Sequence, residues 1–382
     1  MDYAAATPVS KRAMEAQNKA AAIFGNPGAI HEGGVAAKTA LEDARKQVAL
    51  FLGCRAKEII FTSGGTESNN LCILGFAHLR EKEKGSLKNT HWITTEIEHP
   101  SVLECFKEIE RRGGKVTYLS PNERGAIQPN ALKEAIREDT IFISIGWGNN
   151  EIGVVQPLHA LSKAIKEKNE RAIFHTDAGQ APLYFPSIVH GLGVDLLTLD
   201  SGKLYGPRGV GGVYKKTHVN IAPLFYGGAQ EHGLRPGSEN VALAAGFAEA
   251  IKEGGEQRES EAKRLSSLRS FFIKEMTKAI QGSVINGDSP IMLPHIVSIS
   301  IPKIDNEYVT LALDHGGVFI STKSTCLEGE ADSSHVIAAL RGEKWRAKNA
   351  LRFSLGRETT KSDVRYAANK TVHAVKVYAS LT

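Results

Sequence analysis

The chain has 382 residues, 42% of them hydrophobic and 23% charged, and its 47 basic and 42 acidic side chains leave a net charge of +5. This composition excludes a disordered chain, a collagen and a disulfide scaffold, and the length favours two or three domains of roughly 100–200 residues each. The basic residues are dispersed, no apolar run reaches the roughly 18 residues of a spanning helix, and Met1–Pro8 lacks a signal-peptide pattern, so no nucleic-acid partner and no membrane partner is expected. Cys54, Cys72, Cys105 and Cys326 form no CxxC or zinc spacing, which suits free thiols in a reducing cytoplasm.

In chain order, strand-like apolar runs occur at Ile59–Thr62, Trp92–Thr95, Val116–Leu119, Ile141–Ile145, Ala172–Thr176, Leu196–Leu199 and Val210–Tyr214. Helical patterns lie between most of them, at Glu67–Leu79, Ser101–Arg112, Pro129–Arg137 and Leu158–Lys168. The alternation predicts an α/β domain with a mainly parallel sheet of these seven strands, and ligands bind at the carboxyl ends of such strands. After Glu249 a charged stretch leads into Leu265, Leu268, Phe272, Met276 and Ile280, one apolar helix face. Strands are expected at Ile296–Ile301, Val318–Ser321 and Leu351–Leu355, and Thr360 with Asp363 predicts a capped final helix, together a smaller α+β domain.

Three motifs sit at strand ends. Phe61-Thr62-Ser63-Gly64-Gly65-Thr66-Glu67 follows a strand and opens a helix, where free N–H groups and the helix dipole attract phosphate; a plain tight turn is the alternative. Asp177, in His175-Thr176-Asp177-Ala178-Gly179-Gln180, is a strand-end carboxylate that needs a cation or several donors, or else serves as a helix cap. Lys203, in Asp200-Ser201-Gly202-Lys203-Leu204-Tyr205-Gly206, is a Schiff-base nucleophile if held in a site and otherwise a surface charge. Together, a phosphate cradle, a carboxylate and a lysine from one sheet are what pyridoxal 5'-phosphate requires.

The sequence resembles the cysteine desulfurases of the iron–sulfur-cluster and nitrogen-fixation type, within the class V aminotransferase-like, fold-type I pyridoxal phosphate enzymes. The resemblance runs from Asp2 to about Thr360, through FTSGGTESNN (61–70), EHPSVL (98–103), NNEIGVVQ (149–156), HTDAGQ (175–180), KLYGPRG (203–209), RPGSEN (235–240), STCL (324–327) and RFSLGR (352–357). It implies a large cofactor-binding domain over residues 12–247, and a small domain of residues 1–11 and 248–382 that carries a cysteine loop. Lys203 would join the cofactor covalently, His99 would stack on its ring and shuttle protons, Asp177 would pair with the ring nitrogen, and Gln180 would bond the ring oxygen. Gly65 and Thr66 would hold the phosphate, and Ser238 would reach the phosphate of a partner subunit in a homodimer. Asn149 and Arg352 would bind the substrate carboxylate. Cys326 would take sulfur from L-cysteine as a persulfide, leaving L-alanine, for transfer to a sulfur-acceptor protein or iron–sulfur scaffold. Alternation of Leu351, Phe353 and Leu355 independently turns Arg352 to the opposite face.

The chain also departs from the family pattern. Ser/Thr-x-His usually precedes the lysine, whereas Asp200-Ser201-Gly202 stands here. Asp200 is expected to turn away from the phosphate, with Ser201 or backbone N–H groups as substitutes. Lys323 either lowers the Cys326 pKa or is a solvated charge. Two alternatives stay open at this level: a selenocysteine lyase, and a cofactor-poor, non-catalytic dimeric homologue that acts as a binding partner.

Overall fold

A computed structural model describes residues 1–322 and 333–381, so Lys323 and Cys326 lie outside the described residues. The chain opens with helices α1 (Lys11–Ala21) and α2 (Glu32–Leu52). It then alternates through β1 (Ile59–Thr62), α3 (Gly65–Lys84), β2 (His91–Thr95), α4 (Pro100–Arg111), β3 (Lys115–Leu119), α5 (Pro129–Ala135) and β4 (Thr140–Ser144). Next come α6 (Leu158–Asn169), β5 (Ile173–Asp177), α7 (Val189–Leu192), β6 (Leu196–Asp200) and β7 (Gly211–Lys215). The seven strands form one sheet in the order β1-β7-β6-β5-β4-β2-β3. All pairs are parallel except those of β7, which runs antiparallel to both β1 and β6. Each expected strand is present to within one residue at either end.

Alternation along these strands serves two cores at once. Ile59, Phe61, Ile93, Ile143, Leu197 and Tyr214 face α2, α5 and α6, while Ile60, Trp92, Phe142, Leu196 and Val213 face α3 and α4. A sheet buried on both faces needs continuous apolar strands, which is how these runs read. Their carboxyl ends then converge on one edge, opposite the N-termini of α3 and α4.

Helix α8 (Val241–Ala279) spans 39 residues and ties this layer to the rest. Its first half packs Ala244, Phe247 and Ile251 into the large core; its second half packs Leu265, Phe272 and Met276 into a separate one. The division expected at 247/248 falls inside this helix. The sequence periodicity located only the second half, because residues 241–250 are rich in alanine and lie flush against α1 and α2. The second core is completed by β8 (Val284–Ile285), β9 (Ile296–Ser300), α9 (Asn306–His315), β10 (Ala350–Ser354) and α12 (Lys361–Leu381), while α10 (His335–Ala339) and α11 (Lys344–Lys348) pack Val336, Ile337 and Ala347 with Ile97, Ile152 and Val154 in a cluster of their own. Strands β10, β9 and β8 form an antiparallel sheet.

Thr360 and Asp363 form the expected cap, with Thr360 N–H donating to Asp363 at 2.8 Å and Asp363 N–H to the Thr360 hydroxyl at 3.2 Å. The expected strand Val318–Ser321 is not one. Val318 and Ile320 are buried in the small core, but the backbone makes only the single bridge from Ser321 to Arg352. Burial of two alternate side chains gave the strand-like pattern without a ladder behind it.

One buried ion pair anchors the loop after β7. Glu231, in a 3-10 turn with φ of 48°, accepts from both terminal nitrogens of Arg45 at 2.6 and 2.7 Å and from Phe61 N–H at 2.8 Å. Both side chains are almost wholly out of solvent. Removing one partner strands the other charge, so Glu231→Ala is expected to cost about 3–5 kcal/mol, read as a lower denaturation midpoint.

Candidate active site

Gly64 turns the chain from β1 into α3. Its φ of 152° is a conformation that L side chains rarely adopt. A Cβ on Gly211 of β7 would lie 2.7 Å from the Gly64 backbone, so two glycines are needed for strand and turn to meet. The result points the first N–H groups of α3 into a cleft at the carboxyl edge of the sheet. That cleft is lined by Gly65, Thr66, His99, Asn149, Asp177, Gln180, Lys203 and Arg352, together with Glu98 and Asp200. Residues from six separate stretches of sequence are thus brought to one place.

Asp177 ends β5 and is held by two donors. Asn69 Nδ2 reaches Oδ2 at 2.7 Å, and Gly179 N–H reaches Oδ1 at 2.9 Å. Asn69, one turn into α3, also donates to Ser101 Oγ at 2.9 Å. Below Asp177 on the same face, His175 is bonded to Ser144 at 2.8 Å and Thr198 at 3.1 Å, and burial pushes its pKa down to about 4, so the ring is neutral.

His99 is the N-cap of α4, with Pro100 at the first helical position. Its Nδ1 accepts from Ser101 N–H at 3.1 Å, which assigns the proton of the neutral ring to Nε2. The capping role and a place in the site therefore coexist in one residue. Its neighbour Glu98 is buried; Thr95 donates to it at 2.7 Å and Gly146 N–H to both oxygens at 3.0 Å. Burial raises its pKa to about 7 despite those donors.

Lys203 lies at the end of a 3-10 turn after β6 and donates to the Ala5 carbonyl. The Gln180 amide nitrogen donates to Ala4 O at 3.0 Å, and its oxygen pairs with His295 Nε2 at 3.2 Å. Burial holds the His295 ring neutral, near a pKa of 3. The Asn149 amide donates to Ile97 O and its oxygen accepts from the N–H groups of Glu151 and Ile152, all at 2.9 Å. Arg352 projects from β10 away from the core, as alternation predicts. It pairs with Asp2 at 2.9 Å and with Ser321 Oγ at 2.9 Å, while its Nε is buried with no partner among the described residues. Asn69, Glu98, Asp2 and His295 carried no assignment from sequence.

One residue expected in the cleft is not there. Ser201 is buried facing the other way, its hydroxyl occupying the space where a Cβ of Gly206 would lie. Ser238 is exposed on the loop before α8, with Asn26 Nδ2 3.5 Å from its hydroxyl. Cys326 lies outside the described residues. Asp200 reverses its expectation. It does not turn away but lines the cleft, because it caps the turn Ser201–Lys203 by accepting from Gly202 N–H at 2.9 Å. The same turn rotates Ser201 inward. The other three cysteines are packed among apolar side chains, and burial raises the Cys54 and Cys105 thiols to about 12.

The donor set fits pyridoxal phosphate. One amine, one carboxylate fixed by two donors, an imidazole at the rim and a helix N-terminus with the Thr66 hydroxyl share a single cleft. Lys203 would hold the aldehyde carbon, Asp177 the ring nitrogen, and Gly65 and Thr66 the phosphate. Fold and site together define a fold-type I pyridoxal phosphate enzyme.

Comparison with known proteins agrees. The family model for class-V aminotransferases matches residues 1–366, and the chain belongs to that pyridoxal phosphate-dependent family. It is 42% identical to the cysteine desulfurase IscS of Dictyoglomus turgidum over 367 residues, covering 96% of this chain and 91% of that one. It is 38% identical to the cysteine desulfurase IscS of Neisseria meningitidis serogroup C, covering 96% and 90%. A solved NifS-like protein superposes with a TM-score of 0.91 at 33% identity, covering 98% of both chains. The structure of SspA in complex with cysteine superposes at 0.80 with 33% identity, over 93% of this chain and 97% of that one.

Proposed function

We propose that this chain is a cysteine desulfurase that converts L-cysteine to L-alanine and passes the sulfur on for iron–sulfur cluster or thio-cofactor and tRNA biosynthesis. The observation that carries the proposal is the convergence of Lys203, Asp177, His99 and Arg352 on one cleft, in a chain whose relatives over nearly its full length are named cysteine desulfurases. When bound, pyridoxal phosphate supplies an electron sink for a carbanion at the substrate α-carbon.

The residues of this chain do the rest. Asp177, pinned by Asn69 and Gly179, holds a proton on the pyridine nitrogen. Arg352, which lines the cleft, receives the substrate carboxylate, while Asp2 and Ser321 fix the guanidinium plane. Lys203 holds the cofactor and moves protons at the α-carbon, and His99, with its proton on Nε2, exchanges protons at the rim. The Cys326 thiolate takes the sulfur atom from substrate: an S–S bond forms on the enzyme, the C–S bond breaks, and a proton completes the methyl group of alanine.

We also assign a homodimer. Phe24, Ile30 and Tyr226 are each more than nine-tenths exposed. Apolar side chains this exposed suit burial against a second copy, in which Ser238, exposed beside Asn26, would reach the partner's phosphate. A cytoplasmic placement is part of the proposal, supported by the free thiols of Cys54, Cys72 and Cys105; among the described residues no helix is long and apolar enough to cross a membrane.

The test is alanine formation from L-cysteine and, side by side, from L-selenocysteine. Turnover of L-cysteine is expected. Turnover of L-selenocysteine alone would replace the proposal with a selenocysteine lyase, and a protein that retains no cofactor would replace it with a non-catalytic partner.

A further inference from the structure

The phosphate cradle at the start of α3 already contains a carboxyl group of the chain's own. Asp200 is largely buried there. A Cβ on Gly65 would lie 3.2 Å from Asp200 Oδ2, so the carboxyl group stands against the first residue of α3. Gly202 N–H takes Oδ1 at 2.9 Å. Of the three residues before Lys203, Gly202 has no side chain and Ser201 faces Gly206, so Asp200 is the only one that presents a polar side chain to the cradle. The Gly202 N–H is therefore engaged by a carboxyl group that also stands at the first residue of the cradle, held there by its cap on the turn that carries Lys203.

We propose that Asp200 makes cofactor retention by this chain proton-coupled: the phosphate is held when Asp200 is protonated and donates to it, and is weakened when Asp200 ionises. The inference rests on the reading of the cleft as a pyridoxal phosphate site. A protonated carboxyl group is a donor to a phosphate oxygen, whereas a carboxylate has only lone pairs to offer a dianion. The charged groups around Asp200 decide how sharply this is felt. Lys203 on its own turn and Arg208 on the following loop favour ionisation. Asp177 at the end of β5 and Glu67 on α3 oppose it, though Arg235 neutralises Glu67 in part at 3.1 Å; His99 faces the cleft from the start of α4. Burial is the largest influence and raises the Asp200 pKa, so the proton is kept to higher pH than an exposed aspartate would keep it.

The experiment is equilibrium dialysis of the full-length protein against pyridoxal phosphate, and separately against pyridoxal, which has no phosphate. Wild type is compared at each pH with Asp200→Asn, which keeps the shape and a donor but cannot ionise, and with Asp200→Ser. The ratio of wild-type to Asp200→Asn Kd for pyridoxal phosphate is expected to rise with pH by up to about tenfold per unit, the slope for uptake of one proton. The ratio for pyridoxal is expected to stay flat. Should Asp200→Asn not fold, the same ratio to Asp200→Ser gives the slope. A flat ratio for pyridoxal phosphate, in protein that binds it, overturns the role of Asp200 and leaves the cofactor assignment standing. Failure of wild type and both variants to bind pyridoxal phosphate at any pH overturns the cofactor assignment and this inference with it.

Discussion

Lys203→Ala is expected to abolish alanine formation from L-cysteine, with a loss of about 10⁴-fold or more, because one side chain both holds the cofactor and moves the proton at the α-carbon. The visible absorption of covalently held cofactor should vanish from the purified variant, while its denaturation midpoint stays close to that of wild type. Lys203 makes that division possible: it lies in a 3-10 turn at the rim and contributes nothing to the apolar cores, and its amine reaches the Ala5 carbonyl across the cleft. An excess of a small primary amine should restore part of the proton transfer. Rate and absorbance checked together separate loss of chemistry from loss of fold.

The second large effect is expected at Asp177. Asp177→Asn keeps the size and one acceptor but removes the charge that holds a proton on the ring nitrogen, and kcat should fall by about 10²–10³-fold, as for removal of one preorganised electrostatic partner. Asn69 Nδ2 and Gly179 N–H donate to the carboxylate. The amide of the variant can accept from one of them and must point its own N–H₂ at the other. A shift in the cofactor absorption band, with KM changed less than kcat, is the expected signature. Equal losses in Asn69→Ala and Asp177→Asn would instead place the effect in positioning of β5.

Much of the site was legible because its parts are local. A strand, two glycines and a helix start make the α3 cradle; a carboxylate closing β5 and a lysine following β6 can each be read within seven residues. The two-core sheet was legible for a related reason: residues such as Ile59, Ile60 and Phe61 are all apolar, as a strand buried on both faces requires. What escaped is long-range or depends on a side-chain direction. Arg352 could be turned to the correct face of β10, but Asp2 lies 350 positions earlier and nothing local pairs them. The same holds for Gln180 and His295, which are 115 residues apart. Ser201 and Asp200 were assigned opposite orientations to those found, because the sequence does not reveal that Asp200 caps a 3-10 turn. Val318–Ser321 shows the reverse error, in which apolar alternation arose from burial alone.

On the proposed function, the sulfur of L-cysteine is transferred to Cys326. The most direct measurement is peptide mass spectrometry of the protein after a single turnover with L-cysteine, beside Cys326→Ser. The account predicts one added sulfur atom on the peptide that contains Cys326, matched by one equivalent of L-alanine, and neither product beyond background in the variant. Alanine formed at the wild-type rate by Cys326→Ser, or added sulfur on Cys54, Cys72 or Cys105 instead, would contradict it.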